Sequence, residues 1–430
     1  MSATRLVTFL ALTAIAPALP ALAQLAPLGD ELPISSVTDK NRQLWPAAGL
    51  SAGATRLAWQ DDSLGIVSSV VTAPEAGAGT PTVLAANDPL PETKPYRVNL
   101  REQHQPALAT QSDGSFLLVW TEATVFRNVA AAYIDEKTPI SSRVVGRQFA
   151  ANGQPVGAVF EIANGKGTAA RPVATAAEGD IWVAWEESDG AAAGVHFRSV
   201  DAKGHLGKDV LAGAGGRNAA LAATGKAILV AWDHDDNQEK TTAFVRLFKM
   251  SGSPVGAAVA LGSGATSSGF PAAAAAKNGE FLIAWQGGPD ATFADSHVYG
   301  QLLQQKGSSI SLAGTPRMLS TGDGTRHLLP AVAALEDGRW AAAWVAWKGF
   351  VPLAVDVATL DAAGAVVGQP LRLNDRRPLE LGTIAMAAQA SQVWTSWVSA
   401  GPDGHSRIRA RAASTAPNSS PAPSPPPAAH

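Results

Sequence analysis

The chain has 430 residues, of which 46% are hydrophobic and 16% are charged, so it is long enough to bury a large core. Its formal net charge of −3 provides no basic surface for nucleic acid, and we expect no nucleic-acid partner. The sequence contains no cysteine, which excludes disulfides and thiol catalysis.

Residues 1–23 have the features of a secretory signal peptide. Arg5 is the only charged residue before the apolar run from Leu6 to Ala16, and an A-x-A site ends at Ala23. This pattern predicts cleavage after Ala23 and a periplasmic or secreted bacterial protein. The alternative is a short membrane anchor, but the run is shorter than a bilayer span. We therefore expect no membrane insertion after cleavage.

A tryptophan-containing apolar run recurs along the rest of the chain. The seven copies are TRLAWQDD (Trp59), FLLVWTE (Trp120), IWVAWEE (Trp185), ILVAWDH (Trp232), FLIAWQG (Trp285), WAAAWVA (Trp344) and VWTSWVS (Trp397). The tryptophans are 47 to 65 residues apart, a period that is typical of repeat architectures. In IWVAWEE both alternating faces are apolar, which indicates a strand that is covered on both sides.

Each repeat contains two predicted hairpins. A proline stands 13 or 14 residues before the tryptophan in five units, at Pro46, Pro106, Pro172, Pro271 and Pro330. Turn pairs such as Asp113-Gly114 and Asn278-Gly279 join strand A to strand B, which carries the tryptophan. A second hairpin, strands C and D, turns at glycines such as Gly153 and Gly252.

Seven units of four antiparallel strands predict an all-β, seven-bladed β-propeller over residues 44–413. The tryptophan at a fixed repeat position is then core between blades rather than a platform for sugars. The last unit lacks a fourth strand, and the segment at 24–43, with ELPISSV at 31–37, is expected to supply it and close the ring. Residues 414–430 are rich in Pro, Ser and Ala and are expected to be disordered.

The B–C and D–A loops lie on one face of such a ring, and we call it the loop face. Acidic residues follow the repeat tryptophan and basic residues precede strand A, so this face carries the candidate ligand-binding residues His104, Arg171, Glu186, Arg217, Asp233, Arg326 and His327. The alternative is that these are solvated charges in salt bridges that hold the loops.

Two long insertions, residues 87–104 and 121–141, are predicted on the loop face of neighbouring blades. They add the candidates Tyr96, Arg97, Arg101, Tyr133 and Asp135, and they are expected to touch. They form either a polar partner surface or a lid without a partner.

The segment DHDDN at 233–237 has the oxygen-bearing side chains of Asp233, Asp235 and Asn237 at alternate positions, a spacing that suits calcium. However, Gln238 occupies the place of the turn glycine, and the closing glutamate is absent. We expect neither a metal nor a cofactor.

The blade pattern P-x-x-A followed by D/N-G-x-F-x-x-x-W resembles the repeats of exported bacterial propeller proteins, which implies the fold and no particular activity. The segment ARPVATAAEGDIWVAWEES at 170–188 resembles the opening Arg-x-Pro blade of sialidase-type propellers. That resemblance implies an arginine cluster, which Arg171, Arg217 and Arg326 would form, and a tyrosine nucleophile, Tyr133 or Tyr96. The Ser-x-Asp-x-Gly-x-Thr-Trp turns of that family are absent from this sequence.

Two functions follow as expectations. The first is an exported, non-catalytic, monomeric binding or scaffold propeller whose loop face holds a protein or a glycan. The second is a sialidase-like glycan hydrolase with its arginine cluster at the channel mouth. The sequence contains no Ser-His-Asp signature and no phosphate loop. An enzyme requires a compact acid/base constellation in the channel, whereas a scaffold needs only scattered charges.

Overall fold

The computed structural model describes residues 24–35, 41–51, 53–89, 97–128, 137–163, 168–177, 179–190, 192–236, 240–262, 267–289, 295–306, 309–379, 383–401 and 403–415. The longer elements in these ranges are all β-strands, and they form seven separate antiparallel sheets. The described ranges contain no helix with the length and apolarity of a membrane span. The predicted seven-bladed all-β propeller is confirmed.

The blades follow one another in chain order, and each is built from an innermost strand A outward to strand D. Blade 1 has β2 Gln43–Ser51, β3 Ala54–Asp61, β4 Gly65–Val71 and β5 Thr82–Ala86. Blade 2 has β7 Arg97–Thr110, β8 Phe116–Asn128, β9 Lys137–Phe149 and β10 Pro155–Ala163, with the short β6 Asp88–Pro89 beside β7. Blade 3 has β11 Ala169–Ala177, β12 Asp180–Glu187, β13 Gly194–Val200 and β14 Val210–Ala214.

The second half of the ring repeats this arrangement. Blade 4 has β15 Arg217–Ala223, β16 Ala227–Asp235, β17 Thr241–Lys249 and β18 Pro254–Ala260. Blade 5 has β19 Ser267–Ala275, β20 Phe281–Gly288, β21 His297–Lys306 and β22 Ser309–Met318. Blade 6 has β23 Arg326–Ala334, β24 Trp340–Lys348, β25 Val351–Leu360 and β26 Val366–Arg372. Blade 7 has β27 Ala385–Gln389, β28 Gln392–Ala400, β29 Ser406–Ser414 and β1 Ala26–Pro33.

The buried apolar side chains of the described residues form seven clusters, and each cluster joins two neighbouring blades. The strand IWVAWEE has two apolar faces because each face packs against a different neighbouring blade. Ile181, Val183 and Trp185 pack against blade 2, whereas Trp182 and Ala184 pack against blade 4. All seven repeat tryptophans are buried, with at most 5% of the residue exposed. The predicted core role of these tryptophans is therefore correct.

The tight turns opposite the loop face have the predicted backbone conformation. In the A–B turns Gly114 and Gly279 have φ angles of 85° and 90°, and in the C–D turns Gly153 and Gly252 have 83° and 79°. Glycine adopts this left-handed conformation without a steric penalty, which is why the turns recur with glycine.

The N-terminal strand closes the ring, as predicted. Strand β1 pairs antiparallel with β29, from Ala26 opposite Ser414 to Pro33 opposite Arg409. The strand therefore begins before the ELPISSV segment. The Glu31 carboxylate accepts the backbone N–H groups of Asp375 at 2.5 Å and of Arg376 at 3.0 Å. It also lies 3.6 Å from Arg409 Nε, in an ion pair whose arginine and glutamate side chains are 6% and 3% exposed.

The outer strands carry a recurring device that disrupts the blade edges. In β10, β18, β22 and β1 a glycine with φ between 68° and 81° lies at a bulge: Gly157, Gly256, Gly314 and Gly29. A strand C side chain donates to each glycine carbonyl, namely Arg147 Nε, Arg246 Nε, Gln301 Nε2 and Arg411 Nε, at 2.6 to 3.0 Å. A bulged edge with occupied acceptors is a poor template for edge-to-edge pairing.

The two predicted insertions are largely strand rather than loop. Residues 97–104 pair with residues 121–128, and residues 137–142 pair with the same part of β8 on its other side. The insertions therefore touch, as expected, and they lengthen blade 2 on the loop face. Residues 90–96 and 129–136, which include Tyr96, Tyr133 and Asp135, lie outside the described residues.

We predict that Trp185→Ala will lower the free energy of unfolding by about 3–5 kcal/mol, because the indole is buried between blades 2 and 3. Phe350→Ala is the matched control, since Phe350 is 88% exposed and should change stability little. Urea denaturation of both variants makes the comparison. Equal effects would contradict the inter-blade position of Trp185.

We further predict that Glu31→Ala will destabilise the ring by about 3–5 kcal/mol, since it leaves the buried Arg409 unpaired and removes the acceptor of two amides. The control is Glu336→Ala, whose partner Lys277 has an 82% exposed side chain. Exposed ion pairs contribute about 1 kcal/mol or less. A small effect of Glu31→Ala in the same denaturation assay would contradict the stabilising role of the Glu31 carboxylate at the closure.

Candidate functional site

Six inner strands share a backbone bulge that the sequence did not reveal. In blades 1–6 two residues of strand A lie opposite the repeat tryptophan of strand B, where a regular ladder would place one. The first residue of each pair has a left-handed φ between 49° and 56°: Trp45, Gln105, Arg171, Asn218, Phe270 and Leu329. The second is the repeat proline, or Ala219 in blade 4. Because proline has no N–H, the five bulges that contain it leave no second donor without a partner.

In blades 2 to 6 the N–H of the bulged residue bonds to the preceding blade. Its acceptor is the side chain that directly follows the repeat tryptophan in that blade. The five bonds run from Gln105 N to Gln60 Oε1 (3.3 Å), Arg171 N to Thr121 Oγ1 (3.0 Å), Asn218 N to Glu186 Oε1 (2.8 Å), Phe270 N to Asp233 Oδ2 (2.8 Å) and Leu329 N to Gln286 Oε1 (3.0 Å). A chain of inter-blade hydrogen bonds thus connects blades 1 to 6.

The bulged residues surround a cavity of about 760 Å³, which is lined mainly by the A strands from the bulge onward and, in blades 3 and 4, also by the ends of the B strands. These positions open toward the loop face. We call the ring of bulged residues, together with Ile384 of blade 7, the mouth ring. One half of the mouth ring is polar, with Gln105, Arg171 and Asn218 from blades 2–4. The other half is apolar, with Phe270, Leu329, Ile384 and Trp45 from blades 5, 6, 7 and 1.

The polar half continues into a network of charged groups. Arg171 Nη1 lies 3.5 Å from a Glu186 carboxylate oxygen, and Arg217 forms an ion pair with Asp235. Thr241 Oγ1 donates to Asp235 Oδ1 at 2.8 Å. Asn218 connects the carboxylates of Glu186 and Asp233, because its N–H donates to Glu186 Oε1 at 2.8 Å and its Nδ2 donates to Asp233 Oδ2 at 2.9 Å.

Both of these carboxyl groups are electrostatically perturbed. Burial raises the pKa of Glu186, against the opposing effect of Arg171. Burial likewise raises the pKa of Asp233, although the N–H of Phe270 and the amide of Asn218 stabilise its charged form. Two carboxyl groups with raised pKa values in one cavity fit either tight recognition of hydroxyl groups or acid/base chemistry.

Four of the predicted site residues come together. Arg171, Glu186, Arg217 and Asp233 line the same cavity. Arg101 and His104 lie on the blade 2 extension, where Arg101 Nε is 3.6 Å from Glu122 and His104 Nε2 is 3.3 Å from Glu102.

The predicted residues of blade 6 lie away from this network. The Arg326 guanidinium stands over Trp347, 5.6 Å from its ring centroid, rather than beside Arg171 and Arg217. His327 is 1% exposed and packs edge-on against Trp344. The arginine triad that the sialidase resemblance implies is therefore not assembled.

The remaining predicted residues are at the edge of the described structure or beyond it. Arg97 begins β7, and its side chain is not described. Tyr96, Tyr133 and Asp135 lie outside the described residues. In the DHDDN segment, Asp233 and Asp235 are engaged by Phe270, Asn218, Arg217 and Thr241. In the described part of the chain no group of three His, Asp or Glu side chains is arranged to hold a metal ion.

Sequence reasoning missed the apolar half of the mouth ring and Asn218. The signal was present, since Trp45, Phe270 and Leu329 each stand directly before a repeat proline. This pattern predicts a cavity-lining residue only once it is known that the bulge turns the position before the proline toward the channel mouth.

The fold and the cavity define a seven-bladed propeller with an amphipathic central site. The sequence matches no protein-family description and no curated protein. Among solved structures, a protein of unknown function from Dyadobacter fermentans aligns with a TM-score of 0.52 and 12% identity, over 92% of this chain and 100% of that one. An ulvan lyase, which is a polysaccharide lyase, aligns with a TM-score of 0.50 and 11% identity, over 90% and 95%.

A sialidase-type propeller is also among the similar structures. The intramolecular trans-sialidase from Ruminococcus gnavus aligns with a TM-score of 0.52 and 9% identity, over 78% of this chain and 98% of that one. Such low identities establish a shared fold and leave function to be argued from the site.

We predict a pH-dependent stability that originates in His327. Burial lowers its pKa to about 4 in the folded protein, whereas the unfolded chain takes up the proton near pH 6.5. Its contribution to stability is therefore complete above pH 6.5 and is lost as the pH falls toward 4, by roughly 3 kcal/mol. His327→Gln should reduce the change in unfolding free energy between pH 7.5 and 4.5.

The control for this prediction is His205→Gln, because the side chain of His205 is 75% exposed. Chemical denaturation at both pH values gives the two differences. A His327→Gln protein that loses as much stability as the parent between these pH values would contradict the assignment.

Proposed function

We propose that this protein is an exported carbohydrate-binding propeller that receives a saccharide in the cavity at its loop face. The observation that supports it best is the division of the mouth ring into a polar half and an apolar half. A pyranose ring has an apolar C–H face and an edge of hydroxyl groups, so it matches two opposed walls of this kind. Export is inferred from the signal-like N-terminus alone.

The apolar wall has the composition expected of a sugar site. Trp45 and Phe270 offer aromatic surface, and Leu329, Ile384 and Met386 complete the wall. Phe270 is 37% exposed although it is apolar. The cavity volume of about 760 Å³ is within the range of small-molecule sites.

The polar wall offers donors and acceptors in nearly balanced charge. Two arginines face three carboxylates, and Arg171–Glu186 and Arg217–Asp235 are paired at short range. A wall of this kind can both donate hydrogen bonds to hydroxyl groups and accept hydrogen bonds from them. It has no large uncompensated positive charge. We therefore infer a neutral or weakly charged saccharide rather than a polyanion.

The acids at the mouth exceed what the scaffold needs. The side chain after the repeat tryptophan must only accept one N–H from the next blade, and Gln60, Thr121 and Gln286 do this without charge. Glu186 and Asp233 do the same and bring a buried charge, which is costly unless it has another use. We take ligand recognition to be that use.

The comparisons add support of a general kind. Proteins named as an ulvan lyase and a trans-sialidase share this fold, and both names refer to glycan substrates.

Glycan hydrolysis is the second candidate, and one observation favours it. Glu186 and Asp233 are both bonded by Asn218, both line the cavity, and burial raises the pKa of each carboxyl group. Glycosidases use such a pair of carboxyl groups as acid and as base or nucleophile. In this protein both groups also hold the neighbouring blade, which is why we place binding first.

The decisive variants are Glu186→Gln and Asp233→Asn. Each retains an oxygen that accepts the inter-blade N–H, as Gln60 and Gln286 do, so the fold should keep or slightly gain stability at pH 7. We expect saccharide affinity to fall about tenfold or more, because hydrogen bonds to charged groups contribute about 1.5–3 kcal/mol each. A glycan array followed by calorimetry measures binding, and reducing-end release measures hydrolysis.

The matched control is Glu336→Gln, the same exchange of a carboxylate for an amide at a position outside the cavity, which should leave saccharide affinity unchanged. If the parent protein binds no saccharide on the array, the proposed function is wrong. If the parent releases reducing ends and both acid variants stop this release while still binding, the protein is a hydrolase. If affinity does not change in either acid variant, the polar half of the mouth ring is not the site.

A further inference from the structure

An exposed aromatic ring stands on the loop face of blade 6, next to the apolar half of the mouth ring. Phe350 is 88% exposed, the highest value among the large apolar side chains of the described residues. It occupies the tip of a two-residue turn between β24 and β25, because Lys348 pairs with Val351. Gly349, with φ of 59°, makes this tight turn possible. The turn thus places the phenyl ring in water, outside the hydrophobic core.

An arginine extends the surface of this ring. The Arg326 guanidinium carbon lies 5.7 Å from the centroid of Phe350 and 5.6 Å from that of the buried Trp347. Among the described residues, no carboxylate forms an ion pair with Arg326, and its buried Nε has no hydrogen-bond partner. The guanidinium lies near the two aromatic faces, so its terminal Nη groups, rather than the buried Nε, are the donors that a ligand could use.

The position of this pair relative to the cavity follows from the strand. Arg326 begins β23, three residues before Leu329 of the mouth ring, so it lies roughly 10 Å farther out along the strand. Strand A of each blade runs from the loop face inward, so Arg326 and Phe350 stand above the mouth. Blade 6 lies in the middle of the apolar half, between Phe270 of blade 5 and Ile384 of blade 7.

We propose that Phe350 and Arg326 form a second subsite, which stacks a pyranose unit of a glycan chain whose end occupies the cavity. This inference rests on the proposed carbohydrate-binding function and specifies its ligand as an oligosaccharide rather than a single sugar. The phenyl ring covers the C–H face of the pyranose, and Arg326 donates to its hydroxyl oxygens. A chain that leaves the cavity on the apolar side meets this platform first.

The test is the dependence of affinity on chain length. An array of oligosaccharides of two to six units, with neutral, uronic-acid and amino-sugar members, identifies the series that binds best. Calorimetry then compares the two-unit and six-unit members of that series with the parent protein and with Phe350→Ala. We expect the parent to bind the longer chain more tightly. Phe350→Ala should lose about tenfold in affinity for the longer chain, the size of one aromatic stacking contact, and nothing for the shorter one.

Two further variants separate stacking from loss of any apolar side chain. Phe350→Trp should retain the preference for the longer chain, because it keeps an aromatic face. Val156→Ala, at a 52% exposed position on the outer strand of blade 2, should bind like the parent. None of these substitutions removes a buried group, so unfolding is not expected to interfere.

The outcomes distinguish this inference from the proposed function. A parent protein that binds no member of the array refutes both. A parent that binds both lengths equally, or a Phe350→Ala protein that binds the longer chain like the parent, overturns the second subsite and leaves the cavity proposal intact. Equal loss for both lengths would place Phe350 in the cavity site itself and also overturn the subsite.

Discussion

The contact between the repeat tryptophan and the bulged backbone opposite it is the constraint on which this structure depends. The indole fills the gap between two blades. Opposite the tryptophan, strand A has two residues where a regular ladder would have one. The amide that this bulge removes from its own sheet bonds to the neighbouring blade. Blade packing and the hydrogen bonds that connect the ring are therefore located at one repeated point.

This arrangement uses the backbone of the bulged residue and leaves its side chain unconstrained. Trp, Gln, Arg, Asn, Phe and Leu occupy the position in successive blades. A left-handed φ is unfavourable for each of them by roughly 1–2 kcal/mol. The inter-blade hydrogen bond and the surrounding packing offset that strain. The mouth ring can thus vary in chemistry while the ring of blades remains unchanged, which is how a scaffold separates stability from recognition.

The acceptor position after the tryptophan has the same freedom within limits. Any side chain that places an oxygen near the next blade serves the scaffold, whether amide, hydroxyl or carboxylate. The acids are concentrated in blades 3 and 4, where the arginines Arg171 and Arg217 also lie. The polarity of the cavity is for this reason confined to one side, and the opposite side is left to aromatic and aliphatic groups.

The seven blades, their four strands, the glycine turns and the buried tryptophans could all be predicted from the sequence, because each depends on neighbours within a few residues. Closure by the N-terminal strand could be predicted by counting strands. Other features depend on contacts between segments that are distant in the chain. These are the bulges, the role of Glu186 and Asp233 as inter-blade acceptors, the burial of His327 and the pairing of the insertions into strands. Local pattern marks which residues are special, such as the one before each proline. The register of the strands and the packing of neighbouring blades decide which of these residues share a cavity. Both are set by contacts that exist only in the tertiary structure.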